Sequence, residues 1–135
     1  AVAGGAVGKQ FEQSNAKTML IAFLNNLRTL LTGISFGDQA QFFRAEALAA
    51  AGAFPPTMLM EDIELALRLR DVGRLIFLPK GVSASGRRWQ GSGFSGNLIT
   101  VLYLFARYLI ERRFYRGRSS SRYYYDYYYS ERKML

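Results

Sequence analysis

The sequence predicts an α/β domain, and two observations carry that prediction. Short segments of small and β-branched residues alternate with apolar segments of helical length along the first 115 residues, a pattern typical of a sheet flanked by helices. Half of the 135 residues are hydrophobic and 15% are aromatic, which is enough to bury a core. We therefore expect most of the chain to fold.

Each element has a local signal. Residues 2–11 predict a strand whose glycines allow close backbone approach. Ser14 is the predicted N-cap of a helix that runs to Leu31 and stops at Gly33. Six apolar residues of this helix fall on one stripe: Leu20, Phe23, Leu24, Leu27, Leu30 and Leu31.

The rest of the chain continues the alternation and then changes composition. The predicted order is a strand over 36–43, a helix over 44–51, an extended loop at Pro55-Pro56, a helix stopping at Gly73, strands over 75–78 and 82–89, and a helix over 97–115. Residues 116–135 are rich in Arg, Ser and Tyr and predict a low-complexity tail.

Composition excludes several classes of site. The chain has no cysteine and no histidine, so disulfides, thiolate nucleophiles, Ser-His-Asp triads and His-ligated zinc are excluded, and carboxylates remain as acid/base groups. The net charge of +8 predicts an anionic partner. The absence of cysteine, of a signal-peptide pattern and of an apolar run long enough for a bilayer predicts a cytoplasmic location.

Three carboxylates, Glu61, Asp62 and Glu64, cluster after the Pro-Pro loop at the start of a helix. One explanation is structural, because acids at a helix N-terminus complement its dipole and Glu64 can pair with Arg68 four residues later. The other is functional, because a loop-to-helix junction can turn a carboxylate toward a cleft. The residues alone leave both explanations open.

The basic segments also allow two explanations. Arg87, Arg88 and Trp89 suit phosphate contact and stacking, but they also suit a solvated strand end. The helix over 97–115 is apolar nearly all round, as expected for a buried helix or for one that lies against an anionic membrane surface. The Tyr/Arg-rich tail resembles segments that bind single-stranded RNA and also resembles an inert tail.

Three blocks, in this order and spacing, resemble the C-terminal part of the family 2 glycosyltransferases, the inverting enzymes of the GT-A fold. They are SFGDQAQFFRAEAL, AGAFPPTMLMEDIELALRLRDVGRLIFLP and SASGRRW. Within that family the chain is most similar to the selenodomain-associated transferases, over about residues 4–115. The resemblance implies a partial GT-A fold, its acceptor-side half, with a mixed sheet and flanking helices.

The resemblance also implies roles for particular residues. Asp62 would be the catalytic base that takes the proton of an acceptor hydroxyl, and Glu61 would help to orient the site. Arg88 and Trp89, with Arg87 beside them, match the end of the family's Gln-x-x-Arg-Trp pattern and imply donor and acceptor contacts, although Ser85 stands in place of the Gln. The turn of Gly37, Asp38 and Gln39 would line the acceptor side.

One family motif does not occur in the sequence. The family binds its nucleotide-sugar, here a UDP- or GDP-sugar, and a Mg²⁺ or Mn²⁺ ion through an N-terminal half that ends in an Asp-x-Asp motif, which is absent here. The resemblance therefore implies an acceptor-side fragment of a hexosyltransferase, inactive alone, with residues 1–115 belonging to that domain. The alternative is a non-catalytic module that binds RNA or an anionic membrane.

Overall fold

The computed structural model describes residues 1–12, 14–56, 60–86, 94–114 and 126–128. The chain divides into two compact units, and each is described by itself. The first consists of Ala1–Pro56 with Glu61–Arg87, and the second of Thr57–Met60 with Arg88–Leu135.

The first unit is built on a three-stranded mixed sheet. Strand β1 (Val2–Phe11) lies in the centre, with β2 (Phe42–Phe43) antiparallel on one side and β3 (Arg74–Ala84) parallel on the other. Helices α1 (Ala16–Thr32), α2 (Ala45–Ala50) and α3 (Glu61–Val72) flank this sheet. The predicted α/β class with a mixed sheet and flanking helices is thus confirmed.

The glycines of β1 allow its close approach to neighbouring backbones. A Cβ atom at Gly5 would lie 2.1 Å from the carbonyl oxygen of Ile76, and one at Gly8 would lie 2.2 Å from that of Pro79. No real side chain tolerates such distances, so β1 depends on glycine at these two positions. The sequence-based interpretation of this strand is confirmed.

Two strand predictions were wrong. Instead of a strand over 36–43, Gly37–Gln39 form a 3₁₀ turn and only Phe42–Phe43 pair with β1. Instead of separate strands over 75–78 and 82–89, β3 is continuous from Arg74 to Ala84, and residues 87–89 of the second predicted strand lie outside the described residues. Residues 79–81 form a bulge opposite Gly8, and pairing resumes between Lys9 and Val82. The Pro-Lys-Gly segment, which suggested a break between two strands, is therefore a bulge within one strand.

Helix boundaries follow their predicted signals with two changes. Gly33, at φ 74°, ends α1 as expected, but the N-cap is Asn15 rather than Ser14, since the Asn15 side chain accepts a hydrogen bond from the Thr18 N–H at 3.0 Å. Helix α4 (Phe94–Phe114) starts before the predicted Asn97 and contains Gly96.

The hydrophobic core of the first unit lies between β1 and the helices α2 and α3. Ala3 of β1, Ala47 of α2, and Leu65 and Leu69 of α3 form its buried cluster. Phe43 and Leu75, from the two outer strands, pack against this cluster. The cluster therefore fixes α3, and with it the N-terminal carboxylates of α3, against the sheet.

Helix α1 has the reverse of the usual polarity. Its buried residues are Thr18, Ile21, Asn25 and Thr29, three of them polar. Its predicted apolar stripe is exposed. We call this surface the apolar face of α1, and its members are Met19, Leu20, Phe23, Leu24, Leu27, Leu30 and Leu31.

In the second unit, α4 buries one stripe, Thr100, Leu104 and Tyr108, and exposes other apolar side chains such as Ile99 and Phe114. In the predicted tail only residues 126–128 are described; they are helical, and the ring of Tyr127 lies 5.5 Å from that of Tyr103. Among the described helices, none has the length and hydropathy needed to cross a bilayer.

The side chain of Asn26 forms the two hydrogen bonds with Lys9 of β1 that a neighbouring strand would otherwise form. Its Oδ1 accepts the Lys9 N–H at 3.0 Å, and its Nδ2 donates to the Lys9 carbonyl oxygen at 3.0 Å. We expect Asn26→Ala to lower the free energy of unfolding by about 1–2 kcal/mol, because both main-chain groups lose their partner. Urea unfolding measures this change; Gln10→Ala, on the exposed neighbouring position, is the control, and equal effects of the two substitutions would contradict the assignment.

Candidate functional site

Asp62 lies in the first turn of α3, and its carboxylate faces the 3₁₀ turn of Gly37–Gln39. Its Oδ2 accepts the Gly37 N–H at 2.7 Å, and its Oδ1 accepts the Ile63 N–H at 2.8 Å. A carboxylate has about four lone-pair sites, so these two bonds orient Asp62 and leave it able to accept a further hydrogen bond. The half-buried side chain is thus held in place but not saturated.

Met60 and Glu61 precede this carboxylate. Met60 has φ 67°, an unusual backbone conformation for a residue other than glycine, and it comes immediately before α3. Glu61 is exposed, and its negative charge acts on Asp62 through space. The two predicted catalytic carboxylates therefore differ in environment, because Asp62 is fixed by main-chain donors whereas Glu61 faces solvent.

Opposing effects set the pKa of Asp62. Burial raises it above the ordinary value of 3.8, the hydrogen bonds from the Gly37 and Ile63 main chain lower it, and the neighbouring charge of Glu61 raises it. The net direction is upward. A raised pKa makes the ionised carboxylate a stronger base than an exposed aspartate.

The raised pKa predicts a pH dependence of stability. The folded chain binds this proton more tightly than the unfolded chain, so the stabilisation is fully present below pH 3.8 and is lost as the pH rises through the folded pKa. We expect the melting temperature of the wild type to fall relative to that of Asp62→Asn over this window. Thermal melts of both proteins from about pH 3 to about pH 7 measure the difference, and a constant difference would contradict the shift.

The turn that faces Asp62 is tied to β1 through Asp38. The Lys9 ammonium, which is buried in β1, forms an ion pair with Asp38 Oδ2. Lys9 Nζ also lies 5.1 Å from the centroid of the Phe11 ring. A buried ammonium needs such partners, because desolvation of a charge without them is costly.

Arg28 of α1 holds the same turn from another side. Its guanidinium donates to the Ile34 carbonyl oxygen at 3.1 Å and to Gln39 Oε1 at 2.8 Å, and it lies 3.7 Å from the centroid of the Phe36 ring. Burial lowers the pKa of Arg28 to about 10, whereas the charges of Asp38 and Asp62 raise it. Arg28 remains a cation at neutral pH.

Gln39 is buried beneath the turn. Its Oε1 accepts from Arg28, from Thr29 Oγ1 at 3.0 Å and from the Phe36 N–H at 3.2 Å, whereas its Nε2 has no hydrogen-bond partner among the described residues. Gln41 then links the turn to α3, since its Nε2 donates to the Asp62 carbonyl oxygen at 3.0 Å. The predicted acceptor-side residue Gln39 is thus a support of the turn.

The structure brings together part of the predicted site. Asp62, Gly37, Asp38 and Gln39 lie at one place, with Glu61 beside them. The predicted Arg87, Arg88 and Trp89 lie outside the described residues. The structural explanation of the carboxylates also holds in part, because Glu64 pairs with Arg68 at 2.9 Å.

The predictions missed Lys9 and Arg28. Each is a single charged residue within an otherwise uncharged stretch, Lys9 in a glycine-rich strand and Arg28 in an apolar helix. A lone charge in a segment that packs against the core is rarely buried without a partner, and this signal could have identified both.

In the described part of the chain, no group of three or more Asp or Glu residues is placed to hold a metal ion. The divalent metal that the family resemblance implies for a complete enzyme stays a prediction, and we derive no step through it. Comparison of the chain with protein-family models, with curated proteins and with solved structures found no match.

Proposed function

We propose that this chain is the acceptor-side part of an inverting glycosyltransferase of the family 2, GT-A type, with Asp62 as its general base. One observation carries the proposal. The carboxylate of Asp62 accepts a hydrogen bond from Gly37, in the same turn that the family resemblance assigns to the acceptor side. Its raised pKa is the property that a base for a sugar hydroxyl needs.

In the proposed reaction, Asp62 accepts the proton of the acceptor hydroxyl as that oxygen attacks the anomeric carbon of a UDP- or GDP-sugar. The new carbon–oxygen bond forms on one face while the bond to the diphosphate breaks on the other, and the nucleoside diphosphate leaves with the bonding electron pair. One displacement inverts the anomeric configuration. Only ionised Asp62 acts as a base, so the rate of transfer should rise with pH through its raised pKa.

The other residues have supporting roles in this proposal. Gly37 orients the base, Asp38 and Gln39 shape the acceptor side of the turn, and Arg87, Arg88 and Trp89 contact the donor. We expect little transfer from the 135 residues alone, because the Asp-x-Asp motif of the resembled family is absent. We further propose a cytoplasmic location, with residues 97–115 as a candidate contact with an anionic membrane.

The alternative is a basic module that binds RNA or an anionic membrane, and the observation that favours it is the net charge of +8. Trp89 is the only tryptophan and reports on the proposed donor loop. We would titrate the chain with UDP, with UDP- and GDP-sugars and with a short RNA, each with and without Mn²⁺, and follow the fluorescence of Trp89. A saturable response to a nucleotide and none to RNA is the expected result.

A response to RNA alone, weakened steeply by salt and by removal of residues 116–135, would contradict the transferase proposal and support the alternative. No response to either would remove the support for donor contact at Trp89. It would leave the proposed base to be tested by substitution of Asp62 in a complete transferase domain.

A further inference from the structure

The apolar face of α1 places seven large apolar side chains on the described surface. Phe23 is 61% exposed and Leu31 is 73% exposed, while the side of α1 that packs on the sheet unit buries Thr18, Asn25 and Thr29. A helix that covers a sheet normally turns its apolar side inward. The polar residues on the inner side of α1 form hydrogen bonds, such as that from Thr29 Oγ1 to the Asn25 carbonyl oxygen and that from the Thr18 N–H to Asn15 Oδ1. The apolar side chains on the outer side therefore do not pack against the sheet of this unit.

The size of this face matches that of a protein interface. A fully exposed Leu, Met or Phe presents on the order of 200 Å² of surface. With the exposed fractions of its seven members, the face presents on the order of 700 Å². The largest apolar patch of a typical monomer is about 300–600 Å², and a standard interface buries about 800 Å² on each partner.

The spacing of the face indicates a helical partner. Leu20, Phe23, Leu27 and Leu30 follow each other at intervals of three, four and three residues, which is the spacing of a helix–helix seam. Met19, Leu24 and Leu31 widen the seam on both sides. A seam of this kind accepts the side chains of another helix between its own.

The charge of the face indicates an identical partner rather than a lipid surface. The charged residues of α1 are Lys17 and Arg28, and Arg28 is held by the turn described above. An interfacial membrane helix carries several Lys or Arg residues along its polar side, which α1 does not. A face without charge is complementary to itself, as a two-fold symmetric contact requires.

We propose that the apolar face of α1 binds the same face of a second copy of this chain, with the two α1 helices packed along their seams in a symmetric dimer. Leu24 lies midway along the length of the face, on one flank of the seam. In an antiparallel pair of α1 helices it lies close to the two-fold axis and therefore close to Leu24 of the second copy. The proposal is independent of the transferase proposal, because it uses none of the residues around Asp62.

The first test is the dissociation constant of the 135-residue chain by analytical ultracentrifugation. We expect a dimer for the wild type and at least about 100-fold weaker association for Leu24→Lys, because two ammonium groups would be buried at the contact. Val72→Lys is the matched control, since Val72 is 42% exposed and Leu24 is 41% exposed. Circular dichroism checks that each variant is folded.

The second test locates the contact. The chain has no cysteine, so Leu24→Cys introduces a single thiol. Under mild oxidation we expect Leu24→Cys to form a disulfide-linked dimer faster than Val72→Cys by at least about tenfold, because only the first thiol meets its own copy.

Three results would overturn the proposal. The first is a wild-type chain that stays monomeric at high concentration. The second is a dimer that Leu24→Lys weakens no more than Val72→Lys does. The third is a monomer whose binding to vesicles of mixed neutral and anionic lipid is lost in Leu24→Lys, which would assign the face to a membrane instead.

Discussion

Asp62→Asn is expected to lower sugar transfer about 1,000-fold in a complete transferase domain that contains these residues, with donor binding nearly unchanged. Asn keeps the size of the side chain but has no basic oxygen, so the acceptor hydroxyl would keep its proton until late in the displacement. Steady-state rates with varied donor and varied acceptor measure the effect. The loss should appear in kcat, because the interaction with the proton is made mainly in the transition state.

Glu64→Gln is the matched control for this prediction. Glu64 lies two residues further along α3, and its carboxylate accepts a hydrogen bond from Arg68 Nε at 2.9 Å, so Glu64→Gln should leave transfer intact. Full activity of Asp62→Asn, with the fold preserved, would exclude Asp62 as the base. The cluster of carboxylates would then be explained by the helix dipole and by the pair of Glu64 with Arg68.

Arg28→Met is expected to lower the free energy of unfolding by about 3 kcal/mol, the largest change in stability that we predict. The substitution keeps an unbranched side chain but removes donors to Ile34, Gln39 and Asn25, and it also removes the cation from the Phe36 ring. The acceptors left behind are partly buried, which is why the cost exceeds that of an average hydrogen bond. Urea unfolding measures the difference.

Two further variants show whether Arg28 acts through the turn. Arg28→Lys keeps the charge but not the planar set of donors, so we expect it to recover less than half of the lost stability. Arg44→Met is the control, because Arg44 is largely exposed and its pairing with Glu46 at 3.8 Å should contribute little. A loss in Arg28→Met no greater than that in Arg44→Met would contradict the role assigned to the guanidinium.

Local signals predicted those elements whose ends are set by backbone geometry. Gly33 and Gly52 have φ of 74° and 87°, conformations that glycine adopts readily, and both follow helices that stop at the expected place. The break predicted near Pro79 failed because strand pairing is decided by the neighbour. Gly8 of β1 has no side chain and therefore allows the bulge of β3 to approach it. The sequence around Pro79 alone does not show that a glycine lies opposite.

The orientation of α1 was beyond prediction for a different reason. Periodicity shows that a helix has an apolar face but does not show which surface that face meets. At the site, the family resemblance predicted roles for Asp62 and Gly37, and the Gly37 nitrogen lies 2.7 Å from Asp62 Oδ2. Lys9 and Arg28 come from distant segments, and their convergence on one turn depends on the packing of α1 and β1.

The amide of Asn26 has a consequence for how the sheet could polymerise. β2 pairs with β1 only at Gly4 and Gly5, and further along β1 the Asn26 amide bonds both main-chain groups of Lys9. A further strand therefore cannot pair with β1 at Lys9. Within the described residues, β3 is the longer of the two outer strands, so growth of the sheet into an aggregate is directed mainly to its outer side. Pro79 has no N–H to offer an incoming strand, so an added strand would find an interrupted ladder and few stable registers there.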